Sequence, residues 1–331
     1  MALLRKINTR AKAEDNTGFG ANSSYSGGRF INRDGSPNII KRGLPFWDRN
    51  SIYHTLIGYS SWKFLLVVIG GFVLINLAFA SLYYLIGIDH LGGMKPGTPL
   101  ENFGEAFFFS AQTFTTVGYG RISPVGFVTS FIAALEALIG LLCFAVATGL
   151  LYGRFAKPKA YLRFSDYAVI APYRGGTAFM IRMSPFKNNQ LLDAEAKVSL
   201  GMKVDEGGQI MNRFFNLDLE ISKVNALTLS WTLVHPITEK SPLYNLKPEE
   251  YESLSTEFLI FIKAFDESFS NNVVARSSYT AKEIVFGAKF KPMYYPNEEH
   301  NKTILDLGRL NEIEMVALPT PVLIQEVNTA E

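Results

Sequence analysis

Residues 64–88 read FLLVVIGGFVLINLAFASLYYLIGI, with no charged side chain in the run. At ~1.5 Å of rise per residue, a helix of that length crosses a hydrocarbon layer ~30 Å thick. Trp62 and Lys63 precede the run and Tyr83 and Tyr84 lie near its end, as expected of anchors at two membrane interfaces. A second apolar run, residues 125–152, is broken only by Glu136. An ionisable group at that depth is costly in lipid and faces protein or water. Between the runs lies ENFGEAFFFSAQTF, too short to span but apolar enough to enter the membrane, and it leads directly into TTVGYG. The predicted order is a first span at 62–88, a re-entrant helix and extended loop at 102–120 and a second span at 125–154, within a membrane domain of 61–157.

The flanks set an orientation. Residues 1–63 carry ten Lys and Arg against four acids, and Arg154, Lys157, Lys159 and Arg163 follow the second run. The connecting segment has few basic residues, mainly Lys95 and Arg121. The positive-inside rule then places both termini in the cytoplasm. Residues 1–45 are polar and rich in Gly, Ser and Asn. They read as a flexible arm, with no apolar segment near the start to serve as a signal peptide.

After Pro158 the texture changes to short alternating stretches such as AYLRFSDYAVIAPY, AKVSLGMKV and LTLSWTLVH, separated by Gly, Pro, Asn and Asp. That spacing predicts antiparallel β-structure, most simply a sandwich over 158–320, with a tail at 321–331. The fold class is therefore membrane α, two spans with a re-entrant pore helix, followed by a C-terminal β-sandwich.

Composition narrows the function. The chain has 331 residues, room for about two domains. Only 19% are charged and the net charge is +2, too little to suggest nucleic acid. Cys143 is the only cysteine, so neither an internal disulfide nor a cysteine metal cluster can form. His54, His90, His235 and His300 lie far apart. No nucleophile–base or metal constellation suggests an enzyme, and no cofactor is expected.

A non-helical TVGYG at membrane depth is informative, because backbone there must be satisfied or line a watery cavity. Thr116, Val117, Gly118 and Tyr119 are expected to aim successive carbonyls inward, with the Thr116 hydroxyl adding a further ring of oxygens. Gly118 and Gly120 permit backbone angles that a Cβ resists. Four such loops replace the water shell of a potassium ion, as in the well-known potassium filter. One chain supplies one loop, so the working unit is expected to be a homotetramer with potassium ions in its filter. Phe107, Phe108, Phe109 and Phe114 either surround the loop or face lipid.

Here the chain resembles the inward-rectifier potassium channels, especially the prokaryotic branch. The resemblance rests on the two runs around TTVGYG, the link GRFAKPKA and the downstream SPLYNLKPEE, and covers about residues 45–295. It implies an interfacial slide helix at 46–60, WDRNSIYHTLIGYSSW in outline, whose Trp47, Ile52, Leu56 and Ile57 beside Asp48 and Arg49 suit a membrane surface. It also implies an immunoglobulin-like cytoplasmic domain, a homotetramer in the bacterial inner membrane and contact with anionic lipids.

On the inner helix, Gly140, Phe144, Thr148 and Tyr152 recur every four residues and share a stripe. The resemblance makes Gly140 the hinge and Tyr152 the gate at the bundle crossing. Phe144 falls where strongly rectifying relatives carry an acid that binds polyamines and magnesium, which implies weak rectification. Aromatic packing between helices is the competing reading for both rings. Trp62, Lys63, Arg154, Lys157 and Lys159 match the family's lipid contacts, although positive-inside anchoring accounts for the same charges.

Two positions depart from the family. Gln112 stands where a glutamate usually braces the filter, so Gln112, Thr115 and Glu136 are the expected supports. Arg121 follows Gly120 where prokaryotic relatives commonly carry aspartate. Four arginines at the outer mouth repel entering cations unless each pairs with an acid, so low conductance or altered external block is expected. A rival reading makes the β domain a ligand- or partner-binding module on a poorly conducting anchor. A nucleotide- or calcium-gated channel commonly appends a Gly-x-Gly-x-x-Gly loop after a strand, and none follows residue 160.

Overall fold

A computed structural model describes residues 11, 13, 29–43, 45, 51–95, 97–206 and 209–319. The chain divides into two compact units, residues 41–157 and residues 1–40 with 158–331.

The first unit is helical. A short helix α1 (Ile52–Gly58) begins at Ser51, whose hydroxyl accepts the His54 amide. It lies within the expected slide helix; Trp47, Asp48 and Arg49 fall outside the described residues. Helix α2 (Ser61–Ile86) and helix α4 (Phe127–Phe155) are the two apolar spans, each long enough to cross a membrane. Between them α3 (Pro99–Phe114) starts three residues earlier than predicted. The reason is local: Thr98 and Glu101 form a reciprocal capping box, and Pro99 takes the first helical position. Two short strands, β1 (Leu91–Gly92) and β2 (Ser123–Pro124), pair antiparallel across the segments that enter and leave the α3 region.

Behind α3 a small core gathers Ala80 and Tyr83 of α2, Leu91 of β1, Ala106 and Phe109 of α3, Ala133 of α4 and the loop residue Ile122. Phe109 and Phe114 are buried and Phe108 is exposed, so the aromatic run divides between the two expected settings.

The second unit is a β-sandwich. Its strands, in chain order, are β3 (Leu162–Phe164), β4 (Ala168–Tyr173), β5 (Gly176–Pro185), β6 (Leu191–Glu206), β7 (Gln209–Leu217), β8 (Lys223–Leu227) and β9 (Trp231–Pro236). After a short helix α5 (Pro248–Ser253) come β10 (Glu257–Asp266), β11 (Asn271–Thr280) and β12 (Ile284–Phe286). Four further short strands, β13 (Ala288–Phe290), β14 (Tyr294–Pro296), β15 (Thr303–Leu305) and β16 (Ile313–Met315), form two separate pairs. One main sheet runs β11-β10-β6-β7, with β8 sharing an edge of the long β6; the other runs β12-β4-β5-β3, with β9 on β5. Their inner faces meet at Phe179 and Phe258, whose rings stack with centroids 4.0 Å apart.

The arm expected to be flexible departs from that reading over residues 29–38. Glu257, itself buried, accepts the backbone amides of Phe30 at 2.6 Å and Ile31 at 3.1 Å. Arg29 pairs with Glu283 and donates to Ser278 Oγ at 3.1 Å, and Arg33 donates to the Asp166 carbonyl at 2.8 Å. Ile31 joins Phe214 and Leu259 in a small apolar cluster. A polar segment is thus ordered by specific partners far away in sequence.

Candidate functional site

The TVGYG stretch leaves the C-terminal end of α3, where the last carbonyls of a helix lack intrahelical partners. Here the following residues supply them. Thr115 donates its amide to the Ala111 carbonyl at 3.1 Å and Thr116 to Thr113 at 3.0 Å. Val117 and Gly118 both donate to the Gln112 carbonyl, at 2.9 and 3.4 Å. Four successive amides are therefore turned back toward the helix. Among the described residues, the carbonyls of Thr116, Val117, Gly118 and Tyr119 accept no hydrogen bond.

The backbone angles agree with this arrangement. Thr116, Gly118 and Gly120 have φ of +60°, +53° and +79°, and the residues between them do not share the positive sign. Alternation of that kind allows successive carbonyls to face one way. For a β-branched threonine a positive φ costs on the order of 1–3 kcal/mol and persists only where the surroundings impose it.

Four of the predicted site residues lie around the start of this loop. Glu136 is fully buried and accepts hydrogen bonds from the Tyr83 hydroxyl of α2 at 2.6 Å and from the Ser110 hydroxyl of α3. Ser110 also lies 3.0 Å from Oδ1 of Asn76, another buried residue of α2. Glu136 thus turns toward the pore helix, as its cost in lipid requires, and links all three helices. Gly140 lies where α4 meets the end of α3; an added Cβ would stand 1.9 Å from the Phe114 carbonyl oxygen. Gln112 contributes its backbone carbonyl, whereas its side-chain amide makes no hydrogen bond among the described residues. Thr115 donates its hydroxyl to the Ala111 carbonyl at 2.7 Å.

At the far end of the loop, Arg121 has the acid partner that its charge requires: its guanidinium forms an ion pair with Glu105 of α3. Its carbonyl is crowded by the backbone of Gly93, where a Cβ would stand 1.9 Å away. Sequence reasoning missed Glu105. It precedes Gln112 by seven residues and so lies on nearly the same face of α3, and that spacing was the available signal.

Along α4, Phe144, Thr148 and Tyr152 are exposed on the predicted stripe, while Gly140 is buried. A largely apolar crevice of about 700 Å³ opens between α2 and α4, reaching Thr115 and Thr116 at one end and Leu150 at the other. Near the end of α4, Arg154 Nη1 donates to the carbonyls of Leu56 at 2.8 Å and Ile57 at 3.2 Å, and its guanidinium lies 4.7 Å from the Phe64 ring centroid. A cation is favourable at the C-terminal end of a helix such as α1. Trp62, Lys63 and Lys157 are exposed, as is Lys159 in the β unit.

Two apolar spans flanking a re-entrant helix and an extended Gly-Tyr-Gly loop, continued into a β-sandwich, define a two-span ion channel with an appended soluble domain. Family models agree in both parts: residues 64–157 match the ion channel model, and residues 162–330 match the inward rectifier potassium channel C-terminal domain. The chain is 35% identical to the inward rectifier potassium channel Kirbac3.1 of Paramagnetospirillum magnetotacticum, covering 86% of this chain and 95% of that protein. It is 27% identical to inward rectifier potassium channel irk-1 of Caenorhabditis elegans, over 80% of this chain and 53% of the relative. Human inward rectifier potassium channel 4 is 26% identical, over 87% of this chain and 73% of the relative. This chain belongs to the inward-rectifier potassium channel family, in its prokaryotic branch.

Proposed function

We propose that the chain forms a homotetramer that conducts potassium passively, with the ions held between four TVGYG loops. The observation that carries this reading is the disposition of the loop's polar groups. Its amides are bound to α3, its carbonyls are left without protein partners, and its φ values alternate. Carbonyl oxygens from four copies then replace the hydration shell of a dehydrated cation. The ion is substrate, and no covalent step is involved.

The same reading gives the other site residues their roles. Tyr152, exposed on α4, forms the constriction at the inner end, where four rings gate by dewetting. Phe144 presents an uncharged ring to the cavity, which keeps rectification weak. Gly140 is the hinge of the inner helix, a role it shares with its close packing against Phe114. The basic residues at the inner interface, Lys63, Arg154, Lys157 and Lys159, face anionic headgroups beside Trp62. Arg154 commits one of its nitrogens to α1 and has further donors for a phosphate. The membrane is the bacterial inner membrane, with both termini in the cytoplasm.

The test is rubidium uptake into liposomes containing the purified protein under an outward potassium gradient. Barium-sensitive uptake, with sodium excluded, is the expected result. Protein that is folded and tetrameric but passes no rubidium or potassium overturns the reading and leaves the β domain as the working part.

A further inference from the structure

The outer mouth carries an ion pair whose consequence extends beyond holding the loop. Arg121 immediately follows the last filter glycine, and its side chain remains 52% exposed; Glu105, its partner, is 30% exposed. The position of the pair is fixed from both sides. The Arg121 carbonyl abuts Gly93, the next residue Ile122 is buried beside Leu91 and Phe109, and Ser123 then enters the β1–β2 ladder. Among the described residues, Glu105–Arg121 is the one ion pair within the membrane unit.

Resting on the channel reading above, we propose that Glu105 sets the electrostatic potential of the outer mouth and thereby the rate at which cations enter the filter. In a tetramer, Arg121 alone contributes four positive charges around the entrance, and four Glu105 carboxylates cancel them. Removing the carboxylate leaves the entrance cationic and lowers the local potassium concentration; removing the guanidinium leaves it anionic and raises that concentration. Both partners are partly exposed, so salt screens them. The Debye length is ~30 Å at 0.01 M and ~3 Å at 1 M, so the effect belongs to low ionic strength.

That salt dependence separates an electrostatic role from a merely structural one. The experiment is single-channel recording of the purified tetramer in planar bilayers at low and high symmetrical potassium chloride. It compares wild type with Glu105→Gln, Arg121→Gln and the double variant. At ~20 mM salt, Glu105→Gln is expected to lower inward unitary conductance by about threefold or more, and Arg121→Gln to raise it. The double variant is expected near wild type, and all four should converge at ~1 M.

Equal conductance for wild type and Glu105→Gln at ~20 mM overturns the proposal. So does a double variant as impaired as Glu105→Gln, because that pattern reports lost bracing rather than lost charge. If Glu105→Gln does not assemble, Arg121→Gln decides alone, and no rise at low salt overturns the proposal. If wild type itself passes no potassium, the channel reading fails first; if wild type conducts and the variants match it, only the assignment of Glu105 fails.

Discussion

The backbone of Phe114 and the α-carbon of Gly140 approach so closely that any side chain at 140 would begin 1.9 Å from the Phe114 carbonyl oxygen. The contact joins the end of the pore helix to the middle of the inner helix. It lies two residues before the first left-handed residue of the loop, Thr116.

Substituting Gly140→Ala therefore forces backbone apart rather than displacing a flexible side chain. Overpacking of this kind costs about 1–3 kcal/mol or more. The expected result is a lower thermal dissociation temperature of the tetramer together with loss of potassium-over-sodium selectivity in flux assays. A variant that changes only the open fraction, with selectivity and thermal stability intact, would assign Gly140 to hinge motion alone.

The buried Glu136 carboxylate depends on two hydroxyl donors, Tyr83 and Ser110. Tyr83→Phe and Ser110→Ala each leave it one donor short, at a cost of about 1–3 kcal/mol. Because both act on one carboxylate, their effects on thermal stability should be non-additive by about 0.5 kcal/mol or more. Strict additivity in a double-mutant cycle would count against a shared network.

Glu257 grips two successive amides of the N-terminal segment, and hydrogen bonds to a charged group contribute roughly 1.5–3 kcal/mol each. With Glu257→Ala, that segment should release from the sandwich and trypsin should cut after Arg29 and Arg33 much faster than in wild type. Cleavage rates equal within about twofold would mean that the Arg29 and Arg33 ion pairs alone hold the segment.

His235 gives the sandwich a pH dependence. Its Nδ1 faces the Asp218 carbonyl at 2.7 Å and so carries the proton; its Nε2 accepts from the Ser241 hydroxyl at 2.8 Å. Burial holds the imidazole below its ordinary value of 6.5. The unfolded chain then takes up a proton near that value while the folded chain does so only at lower pH, so stability falls as pH drops through this window. Glu257 works the other way. Burial raises its carboxyl from 4.5, so the folded form gains an increment from protonation, separate from the hydrogen bonds to Phe30 and Ile31, that is lost as pH rises through the folded value. Comparing wild type with His235→Gln in thermal melts from pH 7.5 to about 5 isolates the histidine. The wild-type melting temperature should fall more steeply with acidification, and parallel curves would refute the assignment.

Much of this architecture is legible in the sequence, because membrane helices announce themselves locally. Residues 64–88 need no partner to be read as a span, and the position of TTVGYG between two spans narrows its role. The hidden features are those in which the partner is distant. Glu257 meets Phe30 across 227 positions, and Arg154 meets Leu56 across 98. No periodicity encodes such meetings. Glu105 is an intermediate case: it lies two turns before Gln112 on the same helical face, so its position is readable although its partner Arg121 lies beyond the loop. The helix start at Pro99 was likewise readable from Thr98 and Glu101, whose spacing is a capping box.

Arg154 makes the two ends of the membrane unit a single mechanical part. Its guanidinium holds carbonyls in the last turn of α1 from the last turn of α4. A segment 98 positions earlier in the chain is thereby fastened to the end of α4, and the two cannot part without breaking both hydrogen bonds.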